Sequence, residues 1–178
     1  MRIISGTHKG RKIIAPNNLP VRPTTDMAKE ALFNILANNY YFDELSVLDL
    51  FCGIGSISLE FASRETPSIT CVDSHRGCIK FVNSISEKLE LDISTILSDV
   101  YKFLNSTSGN WDIIFADPPY DISTEKLTEI VTLVLDKGLL KSEGLLIIEH
   151  SKRIDLSSII GFTKVKTYGS SAFSFFSK

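Results

Sequence analysis

Signatures of metal binding and of disulfide stapling are missing from this sequence. Its three cysteines, Cys52, Cys71 and Cys78, form no CxxC pair and stand in no His/Cys ligand cluster. That excludes a zinc ribbon or a disulfide framework as the organising device. Cys52 and Cys71 sit in apolar runs, where a reduced buried thiol is ordinary, and this favours a reducing, cytoplasmic setting. No window approaches the roughly 18 apolar residues of a membrane span. The opening MRIISGTHKGRK lacks the apolar core of a signal peptide, so no membrane association or export is expected. Internal repeats, low-complexity tracts and interdomain linkers are also missing. Net charge is only -2, too little to advertise a polyanionic partner for the chain as a whole.

What is present suits one domain: 178 residues, 43% of them hydrophobic, can bury a continuous core unaided. The charge is unevenly placed. Residues 1–30 carry Arg2, Lys9, Arg11, Lys12, Arg22 and Lys29 against Asp26 and Glu30, a local net of +4, which leaves -6 for the remainder.

RIISG and RKIIAP read as two short β runs joined through Gly6 and Gly10, a basic amino-terminal hairpin. Pro16, Pro20 and Pro23 then punctuate an irregular linker. In TTDMAKEALFNILANN, the residues Met27, Ala28, Ala31, Leu32, Ile35 and Leu36 form a helical stripe. Thr24 or Thr25 is placed to cap it, with Asp26 in the first turn. Strands follow at 46–51, 68–73, 93–98, 111–116 and 144–150, alternating with helices at about 55–64, 76–90, 100–105 and 123–136. These strands are continuous apolar runs, which implies a parallel sheet covered by helices on both faces. FTKVKTYGSSAFSFFS closes the chain as a hairpin about Gly169-Ser170.

In such sheets ligands bind at the carboxyl ends of the strands, and four exits carry acids. In DLFCGIGS, Asp49 to Ser56, Gly53 and Gly55 allow close backbone approach to a ligand at a helix start. A dinucleotide fingerprint would place a third glycine at position 58, where Ser58 stands. A tight turn with no ligand is the bland reading. Asp73, 24 residues after Asp49, could accept both hydroxyls of a ribose or simply favour the next helix dipole. Asp99 could take the exocyclic N–H of an adenine, or cap the short helix that follows.

The fourth exit is Asp117-Pro118-Pro119-Tyr120. Proline fixes its own φ and pushes its predecessor out of the helical region, so Asp117 and the Pro118 carbonyl become two stiffly held acceptors. An amino group on an aromatic base offers two N–H donors to such a pair, and Tyr120 offers a stacking face. The alternative is a proline-rich turn with no ligand.

Together these residues resemble the S-adenosylmethionine-dependent amino-methyltransferases, which pair a DxFxGxG loop with a (D/N)PP(Y/F/W) motif. RIISGTHKGRKIIAP, RPTTDMAKEALFNIL, DLFCGIGSISLEFASR, DPPY and IIEHS look like the RsmD family, bacterial methyltransferases acting on guanine N2 of 16S ribosomal RNA. The resemblance covers essentially the whole chain, and RPTTD with its helix is the most family-specific piece. It implies an α/β fold of class I methyltransferase type, a seven-stranded, mostly parallel sheet, as a domain at 24–178 behind the basic hairpin and linker at 1–23. It implies S-adenosylmethionine as donor, with S-adenosylhomocysteine as product and no metal. Asp49, Phe51, Gly53 and Gly55 would frame the methionine end, Asp73 the ribose and Asp99 the adenine. Asp117, Pro118, Pro119 and Tyr120 would hold the target guanine, with Asp117 also bordering the cofactor. Arg2, Lys9, Arg11, Lys12 and Arg22 would touch phosphates of 16S rRNA or the small subunit. A monomer is expected.

Two other readings stay open: a DNA adenine or cytosine amino-methyltransferase, and a catalytically idle RNA-binding module on the same fold. Glu149, His150 and Ser151 could line the pocket, although a buried strand end with a hydrogen-bonded histidine is the preferred reading. Trp111 and Phe173, Phe175 and Phe176 read as core.

Overall fold

The computed structural model describes residues 1–16, 19 and 24–178. Arg22, Pro20 and Pro23 lie outside the described residues, so the linker and the RNA contact expected of Arg22 rest on sequence alone.

Helix α1 spans Asp26–Ala37, capped by the Thr25 hydroxyl, which accepts from the Ala28 N–H. Its buried face is Ala28, Leu32, Phe33 and Leu36; full burial of side chains the size of leucine or phenylalanine contributes about 1.5–3 kcal/mol each. The expected stripe is corrected at one end: Met27 is 70% exposed and Lys29 is 1% exposed. A basic side chain goes inside because a carboxylate waits for it, as described below. A single 3-10 turn, Phe42–Glu44, then leads into β1, Ser46–Leu50.

The alternation that follows is α2 Ser56–Ser63, β2 Ser68–Asp73, α3 Arg76–Leu89, β3 Ser94–Leu97, α4 Val100–Ser106, β4 Trp111–Ala116, α5 Thr124–Asp136, β5 Leu140–Ser151, β6 Phe162–Tyr168 and β7 Ser171–Phe176. Strand β5 starts four residues earlier than its apolar run indicates, since Leu140 pairs with Trp111 ahead of a register shift. The sheet order is β3-β2-β1-β4-β5-β7-β6. β3 to β5 are parallel, β7 runs antiparallel to β5, and β6 antiparallel to β7. One face is packed by α1, α2 and α3, the other by α4 and α5, giving two core clusters. Trp111 and the three carboxy-terminal phenylalanines are core.

From β1 the chain winds outward to β2 and β3, then returns to place β4 on the other side of β1. The two crossovers therefore leave the sheet in opposite directions at the β1/β4 boundary, and a crevice opens above their carboxyl ends. Asp49 and the glycine loop sit on one side of it, Asp117 on the other.

The amino-terminal hairpin is corrected to a single antiparallel bridge, Arg2–Lys12, flanked by main-chain bonds such as Ile3 N–H to Arg11 O at 3.0 Å. Between them, residues 5–9 turn against α2. Ser63 O accepts from Thr7 N–H at 2.7 Å, and a Cβ on Gly6, whose φ is +82°, would lie 1.7 Å from that same oxygen. Only glycine fits there.

Candidate active site

A cavity of about 630 Å³ occupies the crevice. Its floor begins at β1. Asp49 is buried, and its Oδ2 accepts from Ser58 N–H at 3.1 Å and Ser58 Oγ–H at 2.6 Å. The serine at the position where a dinucleotide fold would carry its third glycine thus ties the strand to α2. Burial lifts the Asp49 carboxyl to about 7; the Ser58 bonds pull against this, and the charge of Asp73 adds to it.

The exit loop from β1 needs left-handed backbone at Phe51, Gly53 and Gly55. Gly55 is the N-cap of α2, and a Cβ there would stand 3.0 Å from Val82 Cγ2. The Gly53 N–H donates to Asp73 Oδ2 at 2.8 Å, and His75 N–H to Oδ1 at 2.7 Å. Asp73 therefore stitches the β1 loop to the start of α3 and keeps one acceptor site on each oxygen for a ligand. Phe51, Gly53 and Asp73 all line the cavity.

Asp99 is placed differently. It caps α4, its Oδ1 accepting from Lys102 N–H at 3.0 Å, and it is absent from the cavity wall. The capping alternative raised by the sequence describes its contacts.

Across the crevice, β4 ends in Asp117. Burial, then the charges of Glu149 and Asp49, push its carboxyl well above the usual carboxylate range, while the Thr24 hydroxyl works against the rise. Pro118 is buried; Pro119 is exposed and accepts from Ile122 N–H at 3.0 Å, closing the turn. Tyr120 is 57% exposed and its hydroxyl donates to Ser170 O at 3.3 Å. Its ring stands at the mouth of the cavity, tied to the β6–β7 turn.

Two residues given little or no weight from sequence complete this wall. The Thr24 hydroxyl donates to Glu149 Oε2 at 2.8 Å, so the segment ahead of α1 is fastened to the end of β5. A threonine next to a capping threonine looks like a duplicate in sequence; only the fold reveals that Thr25 caps and Thr24 reaches the cavity. His150 also lines the site, with Nδ1 against Ser151 O at 2.9 Å and Nε2 against Ser174 Oγ at 2.7 Å. A carbonyl can only accept, so Nδ1 carries the hydrogen and Nε2 accepts from the serine; burial lowers its pKa and keeps the ring neutral. The hydrogen-bonded strand end anticipated for Glu149 to Ser151 forms, and all three residues also line the cavity.

The amino-terminal segment meets the site indirectly. Lys29 Nζ donates to Arg2 O at 2.7 Å and to Ser56 Oγ at 3.3 Å, and lies 3.8 Å from Glu60. Glu60 also accepts from Ile4 N–H at 2.7 Å, Ser5 N–H at 3.0 Å and the Arg64 guanidinium at 2.9 Å. Lys9, Arg11 and Lys12 stay exposed.

The electrostatics of the cavity select its ligand. Asp49, Asp73, Asp117 and Glu149 line it, and among the described residues no lysine or arginine does. A pyrophosphate would meet four acids and, among the described residues, no lysine or arginine. A ligand carrying positive charge, hydroxyls and amino groups would find acceptors throughout, and S-adenosylmethionine, with its sulfonium, ammonium, ribose and adenine amine, fits that donor set. Among the described residues no group of three or more His, Cys, Asp or Glu is arranged to hold a metal.

Known proteins are similar to this chain in sequence and fold. The family model described as Conserved hypothetical protein 95 matches residues 1–177. The YlbH protein of Bacillus subtilis is 34% identical over 177 residues, 95% of this chain and 94% of that one. Ribosomal RNA small subunit methyltransferase D of Escherichia coli K12 is 31% identical over 167 residues, 89% of this chain and 79% of that one. Among solved structures, yhhF from Escherichia coli superposes with a TM-score of 0.85 at 28% identity, covering 99% of this chain and 96% of that one. The Thermus thermophilus 16S rRNA N2 G1207 methyltransferase RsmC, solved with AdoMet and guanosine, shares the fold with a TM-score of 0.72 at 19% identity, over 90% of this chain and 45% of that one. A match that runs from the amino-terminal segment to the last strand leaves no part of the chain to another lineage: it belongs to the Conserved hypothetical protein 95 family, the RsmD family of small-subunit ribosomal RNA methyltransferases.

Proposed function

We propose that this chain transfers a methyl group from S-adenosylmethionine to the exocyclic N2 amino group of a guanine in 16S rRNA. The observation that carries the reading is the pairing of Asp117-Pro118 with Gly53-Ile54 across one cavity that no lysine or arginine lines among the described residues. Membership of the family supplies the substrate class.

When bound, the cofactor supplies an electrophilic methyl already activated by sulfonium charge. Asp49, Phe51, Gly53 and Gly55 would border its methionine end and Asp73 its ribose; Asp99 would need its capping bond and the loop around it to adjust before meeting the adenine. Asp117 and the Pro118 carbonyl accept the two N–H bonds of the guanine amine, turning the nitrogen lone pair toward the donor and stabilising the charge that grows on nitrogen. In its ionised form Asp117 accepts the amine hydrogen bond, and once methylation is complete the amine proton passes to this carboxylate or to water; the raised pKa of Asp117 makes it a stronger base than an exposed aspartate.

A base inside a duplex cannot reach this wall, so the target is unpaired or flipped, and stacking on Tyr120 offsets part of an unstacking cost of a few kcal/mol. Arg2, Lys9, Arg11 and Lys12 supply phosphate contacts that position the RNA without reading its sequence.

Incubation with labelled S-adenosylmethionine and either small ribosomal subunits, naked 16S rRNA or duplex DNA tests the proposal, with nucleoside analysis of the product. N2-methylguanosine in either ribosomal sample supports it; label confined to DNA overturns it.

A further inference from the structure

The amino-terminal segment is one of two basic ends of the chain. Residues 151–178 carry five basic residues against Asp155, a local net of +4 equal to that of residues 1–30, which leaves -10 for residues 31–150. The two basic ends enclose an acidic middle.

Four of these five are placed by the carboxy-terminal hairpin and the turn beside it. Lys152 and Arg153 follow β5 directly at the carboxyl-end rim, where Lys152 N–H donates to Ser170 O at 3.1 Å. That same carbonyl accepts from the Tyr120 hydroxyl. On β6, Lys164 pairs with Phe175, Lys166 with Phe173 and Tyr168 with Ser171. Residues opposite one another on neighbouring strands share a face, so Lys164, Lys166 and Tyr168 form a row along β6 that climbs toward the cavity, which Tyr168 lines.

The row's face is settled by its neighbours. Phe173 and Phe175 belong to the core cluster that also holds Ile3, Ile13 and α1, so the two lysines share the face bearing the amino-terminal segment. Lys152, Arg153, Lys164 and Lys166 are exposed, and none enters an ion pair among the described residues. Lys164 packs its ammonium 5.0 Å from the Phe175 ring centroid, which costs it no hydrogen-bonding capacity.

We infer that the rim at Lys152-Arg153 and the β6 row Lys164-Lys166 form a second phosphate-binding surface, which grips the single-stranded RNA flanking the target base along the sheet face that also bears the amino-terminal segment. The inference rests on the proposed function for its ligand and adds the location of the grip. Lysines on an edge strand also discourage strand-to-strand association between copies, and the test separates the two roles.

The variant combines Lys152→Gln, Arg153→Gln, Lys164→Gln and Lys166→Gln, and its affinity for a 16S rRNA transcript is measured across a salt series. Each lost phosphate contact lowers the slope of log affinity against log salt by roughly 0.7–0.9. The expected result is a slope smaller by about 3, affinity at least tenfold weaker at about 0.15 M salt, and an unchanged thermal shift with S-adenosylmethionine. Replacing the same positions with the other basic residue, Lys by Arg and Arg by Lys, should restore the slope.

A variant that binds the transcript with the parent's slope and affinity overturns the inference, whether it stays monomeric or self-associates through β6. A parent chain that binds neither the transcript nor small ribosomal subunits overturns the proposed function and this inference with it; where it binds only the subunits, the same salt series is run on them. A parent that binds beside an equally competent variant overturns this inference alone.

Discussion

Thr24 and Glu149, 125 residues apart in the chain, meet through one hydrogen bond of 2.8 Å that joins the segment ahead of α1 to the end of β5. The bond sits beside Asp117, whose carboxyl also feels the Thr24 hydroxyl. One threonine thus steadies two acids on the wall opposite the glycine loop.

Thr24→Val keeps the shape and removes the hydroxyl. The expected loss is about 1–3 kcal/mol of stability in urea titration, the scale of removing one hydrogen-bond donor from a buried carboxylate, with kcat falling further than KM for the cofactor changes. Thr24→Ser should recover both. A valine variant with parental kcat would detach this bond from catalysis.

Lys29→Met breaks the buried ion pair with Glu60 and frees the Arg2 carbonyl. Removing one partner of a buried pair typically costs about 3–5 kcal/mol; Arg64 and two main-chain N–H groups remain on Glu60, so a value at or below the lower end is expected. Hydrogen exchange should accelerate at Ile4, Ser5 and Thr7 before it does in the sheet, because the network holds that segment to α2.

The share of stability that depends on Asp49 should fall as pH rises from about 4 to about 7, opposed in part by His150, whose lowered pKa acts with the opposite sign. Asp49 has its folded pKa lifted from 3.8 to about 7 by burial. Across that window the folded state holds a proton that the unfolded chain has released, so unfolding gains ground with pH. The gap of about three units corresponds to roughly 4 kcal/mol at most. Asp117, raised by the same cause, adds to the slope with the same sign. Denaturation midpoints across the window measure it, and Asp49→Asn should flatten the slope.

The parallel sheet was legible because its strands are unbroken apolar runs bounded by acids and glycines, a pattern that only two-sided burial explains. The acids at 49, 73 and 117 were legible as cavity residues for the same reason: a strand's end fixes where its next side chain goes. Asp99 was ambiguous, since an aspartate before a short helix serves a cap and a ligand with the same spacing, and here it caps. Met27 was read into the apolar stripe and Lys29 was not, because periodicity counts apolar residues and has no means of seeing Glu60 waiting inside. The role of Thr24 depends on a contact across most of the chain, and no local pattern encodes it. Lys164 and Lys166 alternate with Val165 in a segment that reads as an ordinary edge strand until its register with Phe173 and Phe175 shows which face they take.

The central claim is that Asp117 grips the base amine while the loop at Gly53–Gly55 presents the donor. Its most direct test is the single-turnover rate of Asp117→Ala with labelled S-adenosylmethionine and small ribosomal subunits, beside a thermal shift that reports donor binding. The account expects a fall of about 100-fold or more, the scale of losing a main oriented acceptor, with the donor still stabilising the protein. A variant that methylates guanine at the parent rate would contradict it.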